Sequence, residues 1–254
     1  MPIQTTWEDV LVELDVVDST NNYAITCISE GLAGHGWAVR ANYQTAGRGQ
    51  LGHNWESDKG KNILCSLVLD MLGHDLRRQF VLNACFCSAI IATLRAMPGL
   101  EEVYIKWPND IYYKGKKLGG ILIENQIRGA IWTHAILGFG LNVNQTHFQS
   151  TDTGHSICEI TGQIMDVTAL TKHLLNNIKN HLQGFLSGSS EGLVLYNRFL
   201  GRQGESISFY WNNTLFRGIL QGVGDDGRIQ LDISGTPHFF KHKEITWSET
   251  AWVI

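Results

Sequence analysis

The chain reads as an α+β protein, a mixed β-sheet packed by helices and followed by a small C-terminal β-barrel. Three observations lead to that class. Strand-like runs alternate with a few helical ones through residues 1–200. One helical run, 76–97, is apolar almost all round and therefore belongs in a core. After Gly201 the texture changes to short alternating runs separated by polar turns, the pattern of a small antiparallel barrel. Two domains are expected accordingly, 1–200 and 201–254.

Each element has its own signal. Residues 10–14 read as a strand. Asp18, Ser19 or Thr20 can then cap a helix marked by Tyr23, Ala24, Cys27 and Ile28 and ended by Gly31. Capping alone accounts for these polar residues at about 1 kcal/mol; equally, their hydroxyls can meet a ligand's polar head at a helix N-terminus. Residues 37–43 form a strand that delivers the loop Gln44-Thr45-Ala46-Gly47-Arg48-Gly49-Gln50-Leu51-Gly52-His53-Asn54-Trp55, and 62–69 form the strand that leaves it. Glycines permit positive φ and close approach of backbone N–H groups to a ligand, and a guanidinium beside them makes an anion cradle. A plain Gly-rich hairpin loop is the alternative.

Beyond the apolar helix, Pro98-Gly99 forces a stop, and Pro108 breaks the β-rich run 103–113. Lys106 stands in that run just before the break. It either snorkels from an edge strand or points into a pocket at the strand's end. Lys114-Gly115-Lys116-Lys117 is a hairpin turn, and 117–124 continues the sheet with Gly119-Gly120 in mid-strand. A strand at 130–138 leads into Phe139-Gly140-Leu141-Asn142, where the glycine leaves room for a ligand. Helices are expected at about 166–186 and 189–199, and barrel strands at 205–210, 214–220, 228–232 and 237–240.

Composition narrows the function classes. A net charge of −4 with no dense Lys/Arg run gives no footprint for nucleic acid. The longest apolar stretch, 80–94, contains Asn83 and is too short to span a bilayer, and no signal peptide opens the chain. Five cysteines, most of them within apolar runs and none in a Cys-x-x-Cys pair, fit reduced, buried thiols in the cytoplasm. The ten histidines show no metal-ligand spacing, so no metal ligands are assigned.

The remaining inventory is a glycine loop with Arg48, a pocket-directed Lys106, strand glycines and Asn142. The Walker pattern and the nucleophile elbow Gly-x-Ser-x-Gly are absent. Gly47-x-Gly49-x-x-Gly52 has the letters of a dinucleotide fingerprint but is flanked by strands on both sides. Such a set suits activation of an anion. Joining a carboxylate to a nucleotide phosphate needs charge neutralisation and alignment rather than a side-chain nucleophile.

Five motifs make the reading specific. They are Asp18-Ser19-Thr20-Asn21, the loop from Gln44 to Gly49, Lys106-Trp107-Pro108-Asn109-Asp110, Lys117-Leu118-Gly119-Gly120-Ile121-Leu122-Ile123-Glu124 and Gly138-Phe139-Gly140-Leu141-Asn142-Val143. Their order and spelling resemble the biotin–protein ligases over residues 10–145, and the C-terminal barrel fits that family's tail. The resemblance implies a catalytic domain like that of class II synthetases and biotin–lipoate ligases, with a Src-homology-3-like barrel. It also implies a cytoplasmic enzyme that uses ATP, Mg²⁺ and biotin. Biotin's carboxylate attacks the α-phosphorus to give biotinyl-5′-AMP, and a lysine of a biotin carboxyl carrier domain, from acetyl-CoA carboxylase or a related carboxylase, then attacks the anhydride.

By the same resemblance Arg48 and Lys106 are the catalytic cations. Ser19, Thr20, Asn21, Gln44, Arg48, Gly49, Gln50 and Lys106 bind biotin, and Arg48, Trp55, Asn109, Lys117 and Asn142 bind ATP. Asp110 is a candidate base for the acceptor lysine. Relatives occur as monomers or as dimers joined at sheet edges, so a homodimer is allowed. Many relatives carry a second arginine where this chain has Gln50, which implies weaker electrostatic hold on the adenylate. Only 17 residues precede Asp18, so no DNA-binding domain and no DNA partner are expected; operator binding in a mobility-shift assay would overturn that. A lipoate ligase or acyltransferase and a non-catalytic biotin-binding protein are the competing classes.

Overall fold

A computed structural model describes residues 7–148, 154–248 and 251–252. It is α+β, and its chain divides by internal packing into two compact units. One is drawn from residues 1–76 and 118–179, the other from 77–117 and 180–254.

The first unit is built on a mixed sheet. Its strands are β1 (Leu11–Val17), β2 (Ala38–Gln44), β3 (Ile63–Asp70), β6 (Lys116–Arg128) and β7 (Ile131–Leu141), in the order β1-β2-β3-β7-β6. β1 and β2 run parallel, and the crossover between them is helix α1 (Thr20–Ser29); the other pairings are antiparallel. α1 turns Ala24 and Cys27 onto Trp37, Val39, Val68 and Ile136 of the sheet, with Leu14 and Ile28 packed at the margin. β3 is buried on both faces, which is why its sequence is almost continuously apolar. Arg40 is a buried charge on β2, neutralised by Glu13 at 3.0 Å and donating to Asn42 at 2.7 Å. The short helix α3 (Ile157–Thr161), closed by a Ser156–Glu159 capping box, has no counterpart in the sequence-based expectation.

In the second unit, helix α2 (Gln79–Arg95) is buried along most of its length, as its apolar sequence requires. Helix α5 (Glu191–Phe199) packs against it where Gly192 leaves room for Cys85; Ser88 Oγ donates to the Gly192 carbonyl at 3.1 Å. β4 (Tyr104–Lys106) and β5 (Asp110–Tyr113) form an antiparallel pair around a cis Trp107–Pro108 peptide. The last strands, β8 (Ser206–Trp211), β9 (Thr214–Val223), β10 (Ile229–Ile233), β11 (Thr236–Phe240) and β12 (Ile245–Trp247), form an antiparallel sheet in the order β11-β10-β9-β8-β12. Its inner face carries Ile207, Phe209, Leu220, Leu231 and Phe240. The tyrosine and tryptophan of the β4 region tie into this C-terminal part: Tyr104 Oη donates to the Trp252 carbonyl at 2.9 Å and Trp107 Nε1 to the Gly227 carbonyl at 3.1 Å. Helix α4 (Val167–Leu186) belongs to the first unit up to Lys179 and to the second from Asn180. All five cysteines are free and buried, and among the described residues no helix is long and apolar enough to cross a membrane.

Candidate active site

In the first unit the polar start of α1 is buried. Ser19, Thr20 and Asn21 are all under 5% exposed, so each polar atom there needs a partner. Ser19 holds the N-cap position with extended backbone, yet its side chain makes no capping hydrogen bond. The role passes to the neighbouring strand. Gln44 Oε1, at the end of β2, accepts from the Thr20 backbone N–H at 2.7 Å and from Thr20 Oγ1 at 3.0 Å. Ser66 on β3 lies 2.8 Å from Thr20 Oγ1 and 2.5 Å from Asn21 Oδ1. Its single proton serves one of them at a time. Asn21 Nδ2 then donates to Glu124 Oε2 on β6 at 2.7 Å, and Arg48 Nη2 reaches the same oxygen at 2.5 Å. Gln44, Thr20, Ser66, Asn21, Glu124 and Arg48 thus form one continuous polar chain.

The glycine loop folds back on itself. Arg48 bridges to Asn54, Gly49 N–H donates to the His53 carbonyl at 2.6 Å and Trp55 N–H to the Gly47 carbonyl at 2.9 Å, around a 3₁₀ turn at Gln50–Gly52. Two of the N–H groups expected to cradle an anion are therefore spent inside the loop. Only Gly52 takes positive φ, at 82°. Gly47 is needed for a different reason, since a Cβ there would come within 2.5 Å of the Trp55 carbonyl. Beside the loop opens a cavity of about 510 Å³ walled by Gln44, Gly47, Trp55, Asp58, Lys59 and Gln145.

The strand glycines of β7 make room for protein rather than for a ligand. A Cβ at Gly140 would run into the Trp55 indole, and one at Gly138 into the Asn21 amide. Asn142, just past β7, is held at three points: its N–H donates to the Leu118 carbonyl at 2.8 Å, its Nδ2 to the His155 carbonyl at 3.1 Å, and its own carbonyl accepts from Ile157 N–H.

Lys106, Asn109 and Lys117 belong to the second unit. Lys106 is half-buried; its Nζ donates to Tyr112 Oη at 3.1 Å and sits 4.6 Å from that ring's centroid. Burial pulls its pKa below the usual lysine value, with Asp110 opposing the shift and Lys117 adding to it. Lys117 Nζ pairs with Asp110 Oδ1 at 2.7 Å, and Asn109 is buried between these residues in sequence. The Pro108 carbonyl is pinned by Asn83 Nδ2 and Tyr196 Oη, both at 3.0 Å. Glu124, Ser66 and Tyr112 received no role from sequence reasoning. A lone serine inside Ile-Leu-Cys-Ser-Leu-Val-Leu and a glutamate closing Ile-Leu-Ile-Glu were the available signals.

The first unit thus gathers buried hydroxyls at a helix start and a guanidinium on a glycine loop, and the second unit by itself holds a half-buried lysine at a strand end. Residues 13–142 match the Biotin/lipoate A/B protein ligase family, and the chain belongs to that family. The chain is also similar to two curated relatives and to a solved structure. The bifunctional ligase/repressor BirA of Bacillus subtilis is 29% identical over 232 residues, covering 87% of this chain and 69% of that protein. The biotin–[acetyl-CoA-carboxylase] ligase of Mycobacterium tuberculosis is 25% identical over 230 residues, covering 88% of this chain and 84% of its own. The biotin protein ligase from Aquifex aeolicus in complex with biotin and ATP matches with a TM-score of 0.76 at 24% identity, over 95% of this chain and 99% of that one. The last likeness shows a shared fold.

Proposed function

We propose that the protein is an ATP-dependent biotin–protein ligase. It activates biotin as biotinyl-5′-AMP and passes the acyl group to a lysine of a biotin carboxyl carrier domain of acetyl-CoA carboxylase or a related carboxylase. The observation that carries this reading is the polar chain from Gln44 to Arg48, which joins a buried hydrogen-bonding recess to a cation within a chain of the ligase family.

The neutral ring system of biotin suits Ser19, Thr20, Asn21 and Gln44, which offer hydroxyl and amide groups without net charge. Arg48 and Lys106 stabilise the negative charge that builds on the carboxylate and the pentavalent α-phosphorus, where preorganised cations contribute most. Gly49 and Gln50 close the loop over the carboxylate end. Trp55 offers a flat apolar surface for the purine, and Asn109, Lys117 and Asn142 complete the nucleotide site. Attack by the carboxylate oxygen breaks the α–β bond of ATP and releases pyrophosphate. Attack by the acceptor's neutral amine then expels AMP. Asp110, which pairs with Lys117 at 2.7 Å, remains the candidate acceptor of that amine's proton. Mg²⁺ would arrive on the nucleotide's phosphates, as part of the substrate.

Incubation with ATP, Mg²⁺, labelled biotin and a carrier domain tests the assignment. Label on the carrier lysine with release of AMP and pyrophosphate is the expected result. Labelling by lipoate in place of biotin, or binding without transfer, would overturn it.

A further inference from the structure

Glu124 is the one member of the polar chain whose charge opposes the chemistry proposed for the site. Its Oε2 receives both Asn21 Nδ2 and Arg48 Nη2, so the cation assigned to the phosphate is already neutralised. The pair is partly exposed, the Arg48 side chain at 39% and Glu124 at 27%. A pair that open to solvent is weak and readily exchanged. Asp18 is the second carboxylate that feels Arg48; its carboxyl sits below the usual range, chiefly because Asn22 donates to it at 2.6 Å, with Arg48 a smaller contributor. Asn21 is buried and held by Ser66, so Glu124 is anchored on one side while Arg48 rides on a loop.

We propose that Glu124 is a positioning residue that latches Arg48 as its counter-ion, yields it to the phosphate of the adenylate, and recaptures it to expel AMP. The idea rests on the ligase reading above. A phosphate offers the guanidinium two oxygens in the geometry of its fork and more charge than one carboxylate oxygen, so the exchange runs forward when the nucleotide binds. Once the acyl group has left, Glu124 competes for Arg48 again and weakens the hold on AMP.

Glu124→Gln separates charge from shape, because the amide oxygen still accepts from Asn21. AMP binding by calorimetry should tighten roughly two- to fivefold, the scale of one partly exposed charge contact, and AMP release should slow in proportion. In an Arg48→Gln background the same substitution should change nothing. Glu124→Asp, one methylene shorter, should shift AMP affinity in the same direction by less, and it serves if the glutamine variant fails to fold. Unchanged AMP affinity in the singly substituted protein, or tightening that persists without Arg48, would overturn the latch. Adenylate formation by the unaltered protein is measured alongside. If the unaltered protein forms no adenylate, the ligase reading falls; if it forms adenylate and Glu124 has no effect, only the latch falls.

Discussion

Burial pulls the Lys106 ammonium toward neutrality, while Asp110 across the hairpin turn pulls it back. The side chain lies against the Tyr112 ring with its Nζ on the hydroxyl, so it is held in place rather than snorkelling freely. If it neutralises the α-phosphate, Lys106→Ala should slow adenylation on the order of 10²–10³-fold, the scale for losing one preorganised charge contact. A near-normal rate would reduce it to a packed edge-strand lysine. The pH dependence has a fixed sign. A lysine with a lowered pKa keeps its proton below that value and loses it as pH rises, so adenylation should fall on the alkaline side before an ordinary lysine near 10.5 would titrate. Lys106→Ala should abolish that alkaline limb. Gln50 sits in the 3₁₀ turn of the glycine loop, two residues from Arg48. Its amide carries no charge, which leaves Arg48 to hold the adenylate from this loop. Gln50→Arg should therefore slow release of the adenylate in a chase experiment, and equal off-rates would sink the idea.

At the scale of elements, β7 and the glycine loop form a matched pair. Gly140 has no Cβ where the Trp55 indole lies, and Gly138 has none where the Asn21 amide lies. A single strand thereby seats both the first turn of α1 and the proposed nucleotide wall. Gly140→Ala forces the indole to move. It should cost about 1–3 kcal/mol, the range for overpacking a tight site, and raise the KM for ATP, with the KM for biotin far less affected. Thermal melts and substrate titrations measure both, and unchanged values in each would refute the seating role. The strand glycines were legible as marks of close approach, but not what approaches, because Trp55 and Asn21 are far away in sequence. The same distance hid Gln44's capping of Thr20. Local rules assigned the cap to Asp18, Ser19 or Thr20, and the actual acceptor comes from β2, two dozen residues on. α2, by contrast, was readable from its own composition, since a run apolar all round has nowhere to go but a core. β12 and α3 are too short, at 3 and 5 residues, to carry a periodic signal.

For the molecule as a whole, buried titratable groups set the pH range of stability, and they bracket a plateau. His35, His134 and His242 are each held below 6.5, burial being the largest cause in all three. His35 Nδ1 accepts the Asp70 N–H at 3.2 Å, which requires a bare nitrogen; Asp70 raises its pKa and His74 lowers it, without overcoming burial. In the unfolded chain these histidines take up protons near 6.5, while the folded protein resists. The unfolded state then binds more protons, so stability falls as pH drops below about 6.5. Asp15 and Asp18 do not confuse this window, because their carboxyls are lowered from 3.8 and their contribution is lost only in stronger acid. On the alkaline side burial raises the thiols of Cys65 to about 12 and of Cys85 to about 11. There the unfolded chain loses protons first, above 9.0, and stability falls again as pH rises. Melting temperature should therefore be flat between about 6.5 and 9 and decline on either side. His134 is the histidine to vary, since its Nδ1 is buried and has no hydrogen-bond partner among the described residues. His134→Phe removes that polar atom with its proton site, and should flatten the acid slope between pH 6.5 and 5 without lowering the plateau. A melting temperature that stays constant from pH 7 to 5 in the unaltered protein, or an acid slope identical in the phenylalanine variant, would show that buried histidines do not govern this limb.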